Sequence, residues 1–265
     1  MRRETFDTPG PVRLNLKIPA GRIDLETVEG GQTVVELDSL PEIEEEARIE
    51  LRPRGEGHEV VVTVDERFGL SFFRRGRVEV RLHVTAPPGT DVEVSTASAD
   101  LDARGEYGSL EVNTASGDVR FEHIAGEAQV NSASGDVELA RVGGQLTVNT
   151  ASGDLEVGSL AGEGKIRAAS GDVSIDEADT ALKVQTASGD VEVGSVREGD
   201  VTLQTASGDI EVAVKRGSKV FIDARSMSGE TTSELEITDA PSDGEGPLVE
   251  IRAMAMSGDI AIRRA

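Results

Sequence analysis

The chain contains no cysteine and no tryptophan, and its 265 residues include one tyrosine and three histidines. Without cysteine, disulfide bonds and thiolate metal sites are excluded. His58, His83 and His123 lie in separate segments, without the close spacing of a histidine metal site. No segment approaches the roughly 20 consecutive apolar residues with which a helix crosses a bilayer. We therefore expect no cofactor, no metal and no direct membrane insertion.

Recognisable catalytic motifs are also missing, since the sequence has no P-loop, dinucleotide fingerprint or nucleophile elbow. The opening residues 1–7 lack the apolar core of a signal peptide, which predicts a cytoplasmic protein. The 50 acidic and 27 basic residues give a net charge of −23, which argues against binding to nucleic acid. These features favour a protein that is not an enzyme.

The dominant feature of the sequence is a phrase, Thr-Ala-Ser-Gly-Asp-Val, that recurs with small changes through residues 91–217. Its aspartate returns every 18 residues, then once after 19, and the phrase persists in degenerate form at Glu230 and near the end of the chain. A period this strict indicates a stack of identical structural units. The aspartates of the phrase are Asp100, Asp118, Asp136, Asp154, Asp172, Asp190, Asp209 and Asp259.

Each unit alternates apolar and polar residues on both sides of the Ser-Gly-Asp corner, as with Leu146 and Val148, then Leu155 and Val157. This period of two is typical of strands with one buried face. One unit cannot bury its aliphatic side chains alone, so neighbouring units must cover it. The pattern predicts an all-β fold, a single-stranded parallel β-solenoid, right-handed, with about 18 residues per turn. A propeller blade needs about 40 residues, which disfavours that alternative.

The repeats suggest two regions within one elongated domain. Residues 1–90 are predicted to form an N-terminal β cap with a worn repeat at 21–25 and a hairpin from 47–51 and 59–64. Residues 91–265 are predicted to form the Ser-Gly-Asp solenoid. Its last turn is expected from residues 249–262, followed by Arg263 and Arg264 on an uncovered terminal edge.

The segment 67–77 combines apolar and basic residues within an acidic protein. One interpretation is a hairpin tip that covers an open end of the core. The other is a contact site for a protein partner or for a second copy of the chain, that is, self-association. The residues of this candidate contact are Phe68, Leu70, Phe72, Phe73, Arg74 and Arg75.

The recurring aspartates have two interpretations. Stacked carboxylates could bind calcium, as in rolls built on a Gly-Gly-x-Gly-x-Asp phrase, but this sequence has Ser-Gly-Asp with a single glycine. Alternatively each aspartate accepts hydrogen bonds from backbone N–H groups at its own corner, which stabilises the anion. We favour the second interpretation, a structural corner ladder without metal.

The unit Asn-Thr-Ala-Ser-Gly-Asp-Val, as at residues 113–119, resembles a bacterial family of inferred adhesins with β-strand repeats, also called toastrack domains. The resemblance covers essentially the whole chain and implies a single-stranded β-helix from a bacterium. Some members are fused to membrane segments or lie near envelope-stress systems. The family's function is largely uncharacterised, and it supplies no catalytic residues to carry over.

Three functions remain open from the sequence. The favoured one is a non-enzymatic scaffold, a rigid solenoid that binds protein partners. A carbohydrate-binding or carbohydrate-cleaving β-helix is the first alternative, and it requires exposed aromatic residues, whereas the repeats contain only Tyr107 and Phe121 before Phe221. A calcium-stabilised β-roll is the second alternative.

Overall fold

The computed structural model describes residues 1–65, 80–235 and 246–265. Its contacts divide the chain into two compact units, Met1–Val137 and Glu138–Ala265. In the described ranges nearly all regular structure is β-strand, with one six-residue helix. No helix in these ranges is long and apolar enough to cross a membrane. The prediction of an all-β fold is confirmed.

The first unit is built around two long strands that follow the same path. Its elements in chain order are β1 (Arg2–Asp7), β2 (Val12–Thr27), β3 (Gln32–Asp38), α1 (Pro41–Glu46), β4 (Arg48–Arg54), β5 (Gly57–Thr63), β6 (Arg81–Ala86), β7 (Thr90–Thr114), β8 (Val119–Ile124) and β9 (Ala128–Ser132). Strand β7 pairs in parallel with β8 and β9, which carry the next turn of the coil.

Strand β2 is the first turn of this coil. It runs parallel to β7, with Gly21 opposite Ala99 and Arg22 opposite Asp100. The worn repeat at residues 21–25 therefore stacks on the first Ser-Ala-Asp corner. Ile23 is fully buried because the strands on both sides cover it.

A cap covers the other side of β2. Strands β5 and β6 pair in parallel with its two halves. Strands β4 and β5 form the expected hairpin. Strand β3 pairs antiparallel with β6 on one side and with β1 on the other. Helix α1 starts at Pro41, whose fixed φ suits the first turn of a helix, and it buries Ile43 in the cap.

The second unit contains two parallel sheets made of alternate strands. Its strands are β11 (Leu146–Thr150), β12 (Leu155–Leu160), β13 (Gly164–Ser170), β14 (Val173–Ala178), β15 (Leu182–Ser188), β16 (Val191–Val196), β17 (Gly199–Ser207), β18 (Ile210–Val214), β19 (Lys219–Ser226), β20 (Thr231–Ser233), β21 (Leu248–Ser257) and β22 (Ile260–Arg264), while β10 (Val137–Val142) crosses the boundary between the units.

Equivalent side chains of successive turns form continuous columns between the two sheets. In one column Val148, Ile166, Val184 and Leu203 lie opposite one another in register, and all four are fully buried. Val157, Ile175, Val193 and Val212 form the matching column of the other sheet. Parallel pairing of each strand with its copy one turn away confirms the β-solenoid.

The last two turns stack in the reverse of their sequence order, which corrects the expected C-terminus. Strand β21 lies between β17 and β19, so the final turn of the chain is inserted between the two turns that precede it in sequence. The inserted turn carries Ser257, Gly258 and Asp259, the better copy of the repeat phrase, and its Ile251 and Ile260 are fully buried.

Strand β22 pairs with β18 up to Arg264, whereas β20 pairs with β22 only over residues 260–262. Arg263 forms an ion pair with Glu211, and Arg264 donates a hydrogen bond of 3.2 Å to the carbonyl of Lys215. Within the described residues the edge strands of this unit are β19 and β20.

The candidate partner contact, from Phe68 to Arg75, falls outside the described residues. The division of the chain at residue 90 stays a prediction, and the boundary between the compact units lies at Val137.

The corner glycines allow successive turns to stack closely. Gly171 and Gly189 have φ values of +117° and +138°, which L side chains rarely adopt. A Cβ atom at Gly171 would lie 2.1 Å from the carbonyl oxygen of Gly153, and one at Gly189 would lie 2.0 Å from that of Gly171. Any side chain at the corner would therefore strain the backbone and push the turns apart.

We expect the substitution Gly171→Ala to lower the free energy of unfolding by about 2 kcal/mol or more, because it adds backbone strain and a clash with the neighbouring turn. Denaturant unfolding measures this loss. The matched control is Gly31→Ala, where an added methyl meets no atom within 4 Å. Equal stabilities of the two variants would contradict the stacking of the corners.

Candidate functional site

The corner aspartates form a ladder that bonds each turn to the next. The backbone N–H of Asp172 donates to Oδ1 of Asp154 over 2.9 Å, and the N–H of Asp190 donates to Oδ1 of Asp172 over 2.8 Å. The same bond joins Asp118 to Asp100 and Asp136 to Asp118 in the first unit, and Asp209 to Asp190, Asp259 to Asp209 and Glu230 to Asp259 in the second.

In this geometry the carboxylates act as hydrogen-bond acceptors for backbone N–H groups of the next turn. Each accepted N–H stabilises the anion and offsets the repulsion between carboxylates one turn apart. These bonds repeat one arrangement from step to step, so they select no pair of carboxylates for acid–base chemistry. Among the described residues no group of three or more histidines, aspartates and glutamates is placed to hold a metal ion. The bonds come from the corner of the next turn, whereas donors within the same corner were expected from the sequence.

The substitution Asp172→Ala should destabilise the chain by about 1–3 kcal/mol, because the N–H of Asp190 loses its acceptor. Asp172→Asn keeps an acceptor oxygen and removes one of the stacked charges, so we expect a much smaller loss. Thermal or denaturant unfolding of the pair measures the difference. Identical losses for the two variants would show that the hydrogen bond to Asp190 does not stabilise the corner.

The two aromatic residues of the repeats that precede Phe221 are buried. Tyr107 is fully buried, Phe121 is 2% exposed, and their rings meet edge to face with centroids 5.4 Å apart. The hydroxyl of Tyr107 donates to the carbonyl of Arg104 over 3.1 Å. These rings therefore offer no exposed platform on which a sugar could stack. Burial is also the main reason that the pKa of Tyr107 is raised.

Because Tyr107 is the only tyrosine, the phenolate absorbance reports on this group alone. The raised pKa means that the neutral phenol is favoured in the folded state. The stability that this burial contributes is complete below about pH 10, the ordinary value, and is lost as the pH rises above it. We expect phenolate to appear only together with alkaline unfolding, and Tyr107→Phe to lose stability less steeply at alkaline pH. Titration of the folded chain near pH 10 would contradict this burial.

A cationic row lies on the outer face of strands β13 and β15. Lys165 stands directly opposite Lys183, and Arg167 follows on the same face of β13, opposite Gln185. The structure places no ion pair on these three cations within its described ranges. We call these three residues the cationic row.

The second sheet of the same unit presents the opposite charge. Glu156 and Glu192 point outward from β12 and β16, at equivalent positions of turns two apart. Sequence reasoning missed this asymmetry because it treated the outward positions as uniformly solvating. Reading those positions turn by turn would have shown cations at 165, 167 and 183 and glutamates at 156 and 192.

Exposed apolar side chains mark the end of the second unit. Phe221 on β19 is 58% exposed, and its diagonal neighbour Leu248 on β21 is exposed to a similar degree. Other outward-facing positions in these turns carry methionines. They are Met227, Met254 and Met256.

Comparisons with known proteins identify related sequences and folds. A model of the family Toastrack DUF4097 matches residues 27–263, which confirms the resemblance carried by the repeat phrase. No curated protein matches the chain.

Three solved structures align with the chain over nearly their whole length, with low TM-scores. A cell adhesion protein, so named by inference, from Clostridium sporogenes has 10% identity, coverage of 100% of this chain and 99% of that chain, and a TM-score of 0.30. An inferred adhesin from Parabacteroides distasonis has 9% identity, coverage of 98% and 96%, and a TM-score of 0.38. An inferred adhesin from Bacteroides fragilis has 12% identity, coverage of 100% and 96%, and a TM-score of 0.33.

Proposed function

Because the chain belongs to the Toastrack family DUF4097, we propose that it is a non-enzymatic β-solenoid scaffold that binds a protein partner. The observation that carries this proposal is the cationic row, Lys165, Arg167 and Lys183, on one sheet of the second unit. The row is a binding surface for an acidic segment of another protein. We further propose that the chain works in the cytoplasm, in a system that serves the bacterial envelope or its stress response.

The electrostatics of the row support an acidic partner. Like charges directly opposite each other in neighbouring strands destabilise a sheet, and Lys165 faces Lys183 in this way. A carboxylate bound between the two ammonium groups relieves that repulsion. Arg167 adds a planar guanidinium, which binds carboxylates through two parallel hydrogen bonds.

The rigidity of the scaffold supports tight recognition. The cationic row stands on central strands that pair with a neighbour on both sides. Outward amides are also ordered by their neighbours, since Gln185 donates to Gln204 over 2.7 Å. A surface that is already ordered loses little conformational entropy when a partner binds, which favours affinity.

The alternatives have less support. Nucleic acid would meet three cations on a chain whose net charge is −23, and repulsion from the remaining surface opposes that binding. A sugar-binding groove would require the aromatic residues that the repeats bury, Tyr107 and Phe121. Calcium would compete with backbone N–H groups for the carboxylates of the corner ladder.

Charge reversal tests the cationic row. The double variant Lys165→Glu with Lys183→Glu should lose the partner that the wild-type chain captures from an extract of the native host, because the acidic segment would then meet glutamates. The capture should also weaken as salt rises from low to physiological concentration. The readout is the amount of the captured protein, identified by mass spectrometry and confirmed with the purified pair.

The matched control is Glu156→Lys with Glu192→Lys on the opposite sheet, which changes the same number of charges and should keep the partner. Both double variants should melt within a few degrees of the wild type, because all four side chains point outward. Equal capture by wild type and Lys165→Glu with Lys183→Glu would refute the assigned surface. If neither the wild type nor any variant captures a protein, the proposed scaffold function is wrong.

A further inference from the structure

The edge strand β19 leaves one end of the buried columns incompletely covered. Val220, Ile222 and Ala224 stack on Val249, Ile251 and Ala253 of β21. The three residues of β21 are fully buried, whereas those of β19 remain partly exposed. Another strand laid along β19 would therefore continue the aliphatic columns by one more step.

The backbone of β19 also has a free hydrogen-bonding side. The N–H groups of Lys219 and Met227 donate to β21, to the carbonyls of Pro247 over 2.9 Å and Ala255 over 3.1 Å. The direction of the peptide groups alternates along a strand, so odd-numbered residues of β19 face β21. Val220, Ile222 and Ala224 direct their N–H and C=O groups to the opposite side, where no strand pairs with β19 in the described parts of the chain.

The side chains on the outer face of this strand show which second strand fits. They are Lys219, Phe221, Asp223 and Arg225, and Arg225 forms an ion pair of 2.9 Å with Asp223 of its own strand. When two copies of the strand run antiparallel with Phe221 opposite itself, each Lys219 lies opposite the other copy's Asp223. Opposite charges and paired aromatic rings both stabilise an antiparallel pair. The strand is thus complementary to itself in this register.

The hydrogen bonds agree with the same register. It brings Val220 opposite Ile222 of the second copy, and these two residues carry the free peptide groups that can exchange both N–H···O bonds. Phe221 then occupies the non-hydrogen-bonded position between two such pairs, where opposite side chains are closest. The 58% of Phe221 that is exposed would be covered by its own copy.

Neighbouring registers fit less well. Moving the strands so that Ile222 lies opposite itself brings Lys219 against Arg225, a repulsive pair. Moving them further brings Asp223 against Asp223. Shifts by a single residue would exchange the inward and outward faces of one strand.

One edge strand of the first unit is protected against such pairing. Strand β4, which pairs only with β5 in the described ranges, carries Arg48, Arg52 and Pro53 along its length. Charged side chains and proline on an edge strand prevent the addition of further strands. Strand β19 has no proline, and it has a phenylalanine at the centre of its outer face.

We infer that the chain forms a two-fold symmetric homodimer through antiparallel pairing of β19 with β19 of a second copy, with Phe221 on the symmetry axis. A two-fold axis requires a self-complementary patch, which this strand supplies. The inference is independent of the cationic row, which lies on other strands of the same sheet.

Cysteine cross-linking tests the dimer and its register in the full chain, which has no cysteine of its own. In the inferred register two residues at position 221 lie about 4.5 Å apart between Cα atoms, within the range for a disulfide. Phe221→Cys should therefore form a cross-linked dimer about 100-fold faster than the matched control Asp223→Cys, whose two thiols would be separated by four residues along the strands.

Sedimentation of variants without cysteine tests the same contact. The wild type should sediment as a dimer that dissociates on dilution. Phe221→Lys and Lys219→Asp should be folded monomers whose melting temperature does not depend on concentration, since both side chains lie on the outer face. The variant Lys165→Glu with Lys183→Glu should remain dimeric, which separates this contact from partner binding at the cationic row.

Either of two results would overturn the inference. One is a monomeric wild type at all concentrations, as expected if the chain's own residues or a strand of another protein cover β19. The other is equally fast cross-linking of Asp223→Cys and Phe221→Cys. That result would mean that the strands pair in a different register or that the thiols meet by random collision.

Discussion

Each turn of this chain can bury its aliphatic side chains only against the next turn, so the register between turns is the constraint on which the rest depends. The parallel backbone ladder sets that register along the strands, and the bond from each corner N–H to the preceding aspartate sets it at the exposed corners. Glycine at the corner lets the turns approach closely enough for both. A shift of β15 by one residue along β13 would turn Val184 and the other buried side chains of β15 outward.

The same constraint explains the surface. Because every turn follows the same path, residues one repeat apart stack outside the sheet as well as inside it. Like residues then accumulate in rows, such as Lys165 with Lys183 on one sheet and Glu192 with Glu211 on the other. A repetitive fold thus converts a few substitutions into a charged surface. In this way a chain with many acidic residues can present a local cationic face.

Most of the architecture could be predicted from the sequence because the pattern that defines a turn is local. The alternation of Leu146 and Val148, the Ser-Gly-Asp corner and the worn repeat near Ile23 all mark positions that the structure stacks in parallel. That these aspartates accept backbone hydrogen bonds could be predicted for the same reason. The donors could not, since they were expected at the same corner and instead belong to the corner of the next turn.

The order of the last two turns could not be predicted, because strands β19 and β21 alternate apolar and polar residues equally well. The choice depends on long-range fit: Asp259 bonds to Asp209, and Ile260 completes a buried column, whereas the turn of β19 offers Glu230 and the threonines of β20. The antiparallel pairing of β1 with β3 and of β3 with β6 could not be predicted either, since it depends on tertiary contacts. The cationic row required the register to be known before outward residues could be aligned.

Hydrogen exchange at the corner amides of Asp172, Asp190 and Asp209 tests the central claim most directly. These corners are exposed to water, yet each N–H is bonded to the carboxylate of the preceding turn. The account predicts that these amides exchange as slowly as those of the adjoining strands and that the whole set loses protection together on global unfolding. Exchange at the rate of an unstructured peptide would contradict the stacking of successive turns in register.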